Sequence, residues 1–281
     1  MKRTMVQQAP MNEPVKIEGF IEHIRNTRYM AFLVVRDRSG SVQATIEKVN
    51  HPEWLDLLDT LTTESVVSIE GTLHENPQVK LGGRELIPAK LEILSLAAAL
   101  PLTKDANIDT RMDYRWLDLR GEKERLLFEV QTCLVSAMRD FLLQREFLEI
   151  HTPKLIAAAS ESGADVFEVG YFDRKAYLAQ SPQFYKQMAM AAGFERIFET
   201  GPVFRAEKSY TNRHTTEFTG FDLEFSYIES FHDVMTLEAE LLTYALERVK
   251  AQYGEAIERL YGMEVVVPKL PFPVIALPEL Y

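Results

Sequence analysis

The run GPVFRAEKSYTNRHTTEFTGFDLE, from Gly201 to Glu224, decides how the chain is organised. Arg205 and Glu207 stand two apart, so on a strand both side chains leave one face. Polar turn formers follow at Ser209, Thr211 and Asn212, then a second cationic pair, Arg213–His214, with Thr215 beside it. Phe218, Asp222 and Glu224 lie on a returning segment, the last two again on one strand face. The pattern predicts a hairpin with a long loop, cations at its base and tip, an aromatic between them and acids on the way back. Fixed cations of this kind suit a polyphosphate, because arginine presents planar, permanent donors to phosphate oxygens. A solvated hairpin whose charges pair among themselves fits the same pattern.

Just upstream, Ser181–Pro182 predicts a helix start, a capping hydroxyl with proline at the first helical position, running to about Ala192 and ending at Gly193. Gln183 and Lys186 are three apart and share a face near its positive end. A buried lysine there opposes the helix dipole, so an anion in front of it explains it better than the dipole does. Gly121 precedes a long helix, Glu122–Glu146, with Leu127, Val130, Leu134, Met138, Phe141 and Leu142 as its apolar stripe. A short strand at Leu148–His151 follows, ended by Pro153. Ala157–Val166 is small and polar, hence a loop. Phe167–Tyr171 and Ala176–Ala179 read as a β pair. A second long helix, Phe231–Glu258, buries Val234, Leu237, Leu241, Tyr244, Ala245 and Val249 as scaffold behind the sheet.

The first hundred residues read as β. Val15–Ile24, Met30–Asp37, Ser41–Glu47, Val66–Leu73 and Glu85–Leu94 are rich in Val, Ile and Leu and are split by turns. Arg38–Ser39–Gly40 joins the second and third as a hairpin. Between strands three and four, His51–Leu61 has helical spacing, with Trp54, Leu57, Leu58 and Leu61 on one side. Three strands, a helix and two strands is the order of an OB-fold, a β-barrel that binds oligonucleotides on its central strands. Phe32 and Gln43 fall on those strands, where an aromatic can stack a base and an amide can read a base edge. A core position for Phe32 fits the same alternation.

With 281 residues the chain has room for two domains. Pro101 and the string Lys104–Asn107 place a boundary near 103: a barrel over 1–102, a linker over 103–120 and a second domain over 121–281. The one cysteine, Cys133, excludes an internal disulfide and a cysteine-based zinc site, and its helical setting makes it core. No apolar run approaches the length of a bilayer span. The opening MKRTMVQQAPMNEP has two cations and no apolar stretch behind them, unlike a secretory signal, so the expected compartment is the cytoplasm.

Four segments together resemble class II aminoacyl-tRNA synthetases of the aspartyl-tRNA synthetase type, archaeal/eukaryotic-like or non-discriminating. F-R-A-E at 204–207, T-x-R-H at 211–214 and E-F-T-x-x-D-x-E at 217–224 resemble that family's motif 2. AQSPQFYKQM (Ala179–Met188) resembles its aspartate-binding segment and FLEIHTPKL (Phe147–Leu155) its motif 1. RMDYRWLDLR (Arg111–Arg120) resembles the lead into its catalytic domain. Several linked motifs in order are a strong signal where one alone is weak. The resemblance implies an anticodon-binding OB-fold followed by an α+β catalytic domain, an antiparallel sheet flanked by helices. It also implies a homodimer through the motif 1 helix and strand.

By that resemblance the chain joins L-aspartate to tRNA(Asp), and tRNA(Asn) as well if non-discriminating, through an aspartyl-adenylate, using ATP and Mg2+. Arg205 is then the catalytic residue, on the α-phosphate and the attacking carboxylate. Glu207 accepts from the adenine amino group and Phe218 stacks on the ring. Arg213 and His214 hold the γ-phosphate, with Thr215 in the same ATP-binding set. Asp222, Glu161 and Gln183 take the substrate ammonium, and Lys186 takes the side-chain carboxylate. An asparaginyl enzyme, whose amide substrate carries no charge, has no use for that lysine. Phe32 and Gln43 match anticodon contacts. After Glu161 this chain has Ser162–Gly163 where the family usually has two glycines. The family's glycine-rich motif 3 and its magnesium ligands have no counterpart here, so the catalytic domain is expected to be incomplete at its C-terminus, with no metal ligands in this chain. The chain alone is expected to show no ATP–pyrophosphate exchange. Two other readings are a synthetase-like tRNA-binding module and an adenylate-forming relative acting on a non-tRNA acceptor. The net charge of −11 belongs mostly to residues 101–281, with 20 Lys+Arg against 29 Asp+Glu, so any grip on tRNA must be local.

Overall fold

Alternation of apolar and polar residues builds the first of two units, Met1–Arg115. The computed structural model describes residues 1–103, 105–160, 166–208, 211 and 213–280. Strands β1 (Pro14–Asn26), β2 (Met30–Asp37), β3 (Gly40–Glu47), β4 (Val66–Glu75) and β5 (Arg84–Ser95) close into a barrel in the order β1-β2-β3-β5-β4. Inward-facing Ile17, Ile21, Leu33, Ile46, Ile69 and Leu86 are enclosed there, as the OB-fold expectation requires. A 3₁₀ turn at Pro52–Trp54 leads into α1 (Leu55–Thr60), and Trp54, Leu58 and Leu61 join the barrel core. The β2–β3 turn is held by the buried Asp37 carboxylate, which accepts from the backbone N–H of Ser39 (2.7 Å) and of Val6 (2.8 Å). At Gly71 the neighbouring strand passes so close that any Cβ would collide with the Ile87 carbonyl oxygen.

Two short helices follow in the chain, α2 (Ile108–Asp113), capped by the Asn107 side chain, and α3 (Arg115–Asp118). The division between the units falls after Arg115, inside the stretch expected as a linker.

The second unit is Trp116–Tyr281. After α4 (Glu122–Leu143) come β6 (Leu148–Glu149), β7 (Leu155–Ile156), β8 (Glu168–Tyr171), β9 (Arg174–Leu178) and α5 (Gln183–Ala191). Then β10 (Arg196–Phe204) and β11 (Glu217–Phe225) form the expected antiparallel hairpin, and α6 (Phe231–Tyr261) follows. β6 adds to β10 in parallel, giving a sheet β11-β10-β6, and β7, β9 and β8 make a second three-stranded sheet. Phe198, Phe221, Leu223 and Phe225 on one face of β10–β11 pack with Phe141, Leu142 and Phe147 and with Leu241 of α6. The opposite face is left for the site.

Two helical stripes differ from expectation. In α4 the buried line runs through Leu126, Cys133, Ala137 and Phe141, while Leu127 is 52% exposed. In α6 Val234 is also exposed and Ala239 is buried in addition, while Leu241, Ala245 and Val249 are buried as expected. Small residues mark where two helices approach most closely. A reading that favours large apolar side chains therefore rotated the α4 stripe by one position. Salt bridges Asp140–Arg248 and Glu122–Arg259 tie the two helices along their length.

Candidate active site

The antiparallel register fixes which residues share the open face. Phe218, Gly220, Asp222 and Glu224 of β11 lie opposite Val203, Gly201, Glu199 and Ile197 of β10. In an antiparallel pair such partners project to the same side, away here from the Phe198–Phe221 core. The facing glycines, Gly201 and Gly220, add no side chain to the middle of this face, and Lys154 reaches over Gly201. Charged groups flank it on both sides.

On one side stands Lys186, projecting from α5 and only 5% exposed. Its Nζ lies 3.1 Å from Asp222 Oδ1 and 3.4 Å from Glu224 Oε2, and it donates to the Leu223 carbonyl at 3.5 Å. The expected anion in front of the lysine is thus present in the protein itself, as two half-buried carboxylates sharing one cation. On the other side stands Arg205, its guanidinium carbon 5.4 Å from the centre of the Phe218 ring. Arg205 Nε is buried and has no hydrogen-bond partner among the described residues. A buried, orphaned guanidinium donor is costly unless an acceptor arrives. Phe218 and Asp222 are four strand positions apart, so the two cations are separated by roughly 13 Å along β11.

One local expectation is corrected. Arg205 and Glu207 do not continue the strand, because β10 ends at Phe204. Arg205 still donates its N–H to the Thr216 carbonyl (2.9 Å), but Glu207 N–H turns back onto the Arg205 carbonyl at 2.8 Å, so the chain bends between them. A second difference lies at the start of α5, where Pro182 is the N-cap and Ser181 Oγ accepts from Gln183 N–H at 3.3 Å. Gln183 occupies the first turn and Lys186 the next position on that face, and Gly193 closes the helix at φ +83°.

Arg213, His214 and Thr215 are exposed in the β10–β11 connection. A tight turn shapes it: His214 N–H donates to the Thr211 carbonyl (3.1 Å) and the His214 Nδ1 sits 2.5 Å from Thr211 Oγ1. Glu161 lies outside the described residues.

Sequence reasoning missed a second charged cluster on the same face. Glu199, 2% exposed, accepts from Lys154 Nζ (2.7 Å), Thr152 N–H (3.0 Å) and Thr152 Oγ1 (2.7 Å). Burial alone would raise its pKa, but the Lys154 and Thr152 hydrogen bonds outweigh burial and hold it below the ordinary glutamate value. A carboxyl depressed in the folded state stabilises the fold above the unfolded pKa of about 4.3 and loses that contribution as pH falls through its folded value. Glu199→Gln is therefore expected to flatten the acid limb of the stability profile below about pH 5. Urea melts across pH 3–7 check this; parallel wild-type and variant profiles would contradict it. The available signal was a glutamate directly after the apolar pair Ile197–Phe198 on a buried strand, where a charge needs a partner.

In the first unit, Phe32 and Gln43 share the outer face of β2–β3, so Phe32 is not core. They line a cavity of about 750 Å3 together with His23, Arg25, Lys80 and Glu85. The Arg25 guanidinium lies 5.3 Å from the Phe32 ring centre. Gln43 Nε2 donates to Thr45 Oγ1 (3.2 Å), which donates to Glu85 (2.7 Å), so the amide is oriented by its neighbours on β3 and β5.

Comparison with known proteins adds to this geometry. The profile described as tRNA synthetases class II (D, K and N) matches residues 107–280, and one described as an OB-fold nucleic acid binding domain matches residues 15–94. An aspartate–tRNA(Asp/Asn) ligase of Methanopyrus kandleri is 45% identical over 254 residues, covering 88% of this chain and 59% of that protein. An aspartate–tRNA(Asp) ligase of Pyrococcus abyssi is 40% identical over 271 residues, covering 94% of this chain and 61% of that protein. Asparaginyl-tRNA synthetase from Pyrococcus horikoshii, complexed with asparaginyl-adenylate, superposes with a TM-score of 0.87 at 32% identity, covering 92% of this chain and 61% of that one. The chain thus spans about 60% of the length of these relatives.

Proposed function

The chain belongs to the class II tRNA synthetases of the D, K and N group, and on that premise we propose that it is the aspartate-activating part of an aspartate–tRNA ligase. The observation that carries this is the pairing on one sheet face of a buried lysine, held between two acids, with an arginine whose buried Nε has no partner among the described residues. Between them lie Gly201 and Gly220, which face each other across the two strands and add no side chain of their own to the space between the cations, a spacing that suits a ligand with an anion at each end. An aminoacyl-adenylate of a dicarboxylic amino acid has that charge pattern.

The reaction is an in-line displacement: an oxygen of the substrate α-carboxylate bonds to the α-phosphorus of ATP, and the bond to the pyrophosphate oxygen breaks. Arg205 holds the α-phosphate and the incoming carboxylate, neutralising charge as it builds. Phe218 stacks the adenine, Glu207 accepts from its amino group, and Arg213 with His214 and Thr215 receives the outer phosphates. Mg2+ would arrive with the triphosphate. Asp222, Gln183 and Glu161 take the ammonium, and Lys186 takes the side-chain carboxylate, exchanging one of its protein partners for the ligand. Selection of aspartate over asparagine rests on Lys186, since an amide returns nothing for the charge. Calorimetric titration with L-aspartate and L-asparagine, each with a non-hydrolysable ATP analogue, tests the assignment. Preference for aspartate is expected, and equal or better binding of asparagine would sink it.

The barrel is proposed to hold the anticodon, with Phe32 as stacking platform and Gln43 as base reader. Phe32→Ala is expected to weaken binding of the tRNA(Asp) anticodon stem-loop by about 1–3 kcal/mol with little change in melting temperature. Fluorescence anisotropy at fixed salt measures this, and unchanged affinity would remove Phe32 from the interface. A homodimer through the exposed face of α4, where Leu127 and Phe128 are each 52% exposed, is part of the same proposal.

A further inference from the structure

Glu199 and Asp222 are directly opposite each other on adjacent strands. Like charges in that relation repel unless each is neutralised. Each has its own lysine: Lys154 Nζ is 2.7 Å from Glu199 Oε1, and Lys186 Nζ is 3.1 Å from Asp222 Oδ1. Glu224 shares Lys186 as well. The first pair lies over Gly201, where a Cβ would stand 3.4 Å from Lys154 Cε and 3.3 Å from Glu199 Oε1. The face therefore carries three carboxylates and two ammonium groups, and among the described residues Lys154 and Thr152 supply the hydrogen bonds to Glu199.

We propose that Lys154 is a positioning residue for the amino-acid subsite: by occupying Glu199 it keeps that carboxylate from competing for Lys186, and so sets the charge that Lys186 can offer a ligand it never touches itself. The proposal rests on the aspartate reading of the Lys186 subsite. Without Lys154, a buried Glu199 has two ways to relieve its isolation. At low pH it takes up a proton and becomes neutral, leaving the Lys186–Asp222–Glu224 cluster as it was. At higher pH it ionises beside Asp222, and the cluster then holds one uncompensated negative charge that draws Lys186 away from an incoming carboxylate. In the native chain the Lys154 and Thr152 bonds keep Glu199 ionised well into the acid range, so no such step occurs near neutrality. Glu224, on the same face of β11, shares Lys186 with Asp222, and Glu149, paired with Phe198 on β6, belongs to the opposite face and is held by Arg139.

The test is the pH dependence of L-aspartate affinity between pH 6 and 8.5, by calorimetry. The native chain is expected to show a flat profile. Lys154→Met should bind nearly as well as native at the acid end and lose about tenfold in affinity as pH rises, as expected for one added unit charge near the subsite. Lys154→Arg should restore the flat profile, and Glu199→Gln placed in the Lys154→Met background should abolish the pH step. A Lys154→Met profile parallel to native overturns the proposal. A native chain that binds no L-aspartate sinks the aspartate reading instead. The coupling is then read without ligand, from NMR signals of the Glu199 carboxyl carbon and Lys186 Nζ in the same pH series. In Lys154→Met both should move in one step at higher pH than the native Glu199 titration, and a Lys186 signal indifferent to Glu199 overturns the proposal on its own.

Discussion

Lys186→Met is expected to abolish measurable discrimination between aspartate and asparagine and to lower aspartate affinity by about 100-fold. The reason lies in the charges left behind. Lys186 is enclosed, whereas Asp222 and Glu224 keep 33% and 30% of their side-chain surface. Removing the lysine leaves two carboxylates facing each other and facing the ligand's own. Breaking a fully buried pair costs about 3–5 kcal/mol. Solvent still reaches both acids, so the loss in folding stability should be smaller, about 2 kcal/mol or about 5 °C in melting temperature. Methionine keeps the length and apolar stem, so the packing of α5 against β11 should survive. Calorimetry for binding and thermal melts for stability separate the two effects. Unchanged aspartate affinity in a folded Lys186→Met protein would remove the lysine from the subsite.

Arg205→Met should act in the opposite sense on stability while also destroying binding. Arg205 Nε is buried without a hydrogen-bond partner among the described residues, so the folded chain already bears its desolvation cost. Taking the guanidinium away should leave the melting temperature unchanged or slightly higher. Affinity for ATP should fall by at least about 100-fold, because a charge-assisted, planar contact to phosphate is lost. Arg205→Lys should recover little, since an ammonium cannot reproduce both the fork geometry and the stacking on Phe218. Nucleotide titration of native, Met and Lys proteins decides this. Full recovery by lysine would show that only point charge matters there.

Much of this was legible in the residues because strand period and register are tightly coupled. Once Asp222 and Glu224 are placed two apart on a strand, and Phe218 four before Asp222, their common face follows, and the hairpin register did the rest. The barrel was legible for the same reason, its five strands falling within a few residues of their expected limits. What escaped were contacts that period alone cannot carry. Glu199 and Lys154 are 45 positions apart and meet only because β6 runs alongside β10 and delivers Thr152–Lys154 to the strand's open face. The end of β10 at Phe204 was hidden too, since nothing in F-R-A-E forbids another extended residue. The α4 stripe misled where Leu126 and Ala137, rather than Leu127 and Met138, joined the buried line.

The barrel closes through its slightest join. β3 and β5 run parallel and are paired only at Gln43–Glu85 and Ala44–Leu86, whereas β4 and β5 are laced together from Val66–Ser95 to Glu75–Arg84. Parallel pairing is a little weaker per residue, and a short ladder opens before a long one. Local breathing of this unit should therefore begin at the very residues that line its outer cavity, with amide protons near Ala44 and Leu86 exchanging ahead of those in β1 and β4. A nucleic acid strand lying across Gln43 and Glu85 would then work as a stitch over that seam, so that occupancy could be followed by the slowing of a handful of backbone exchange rates.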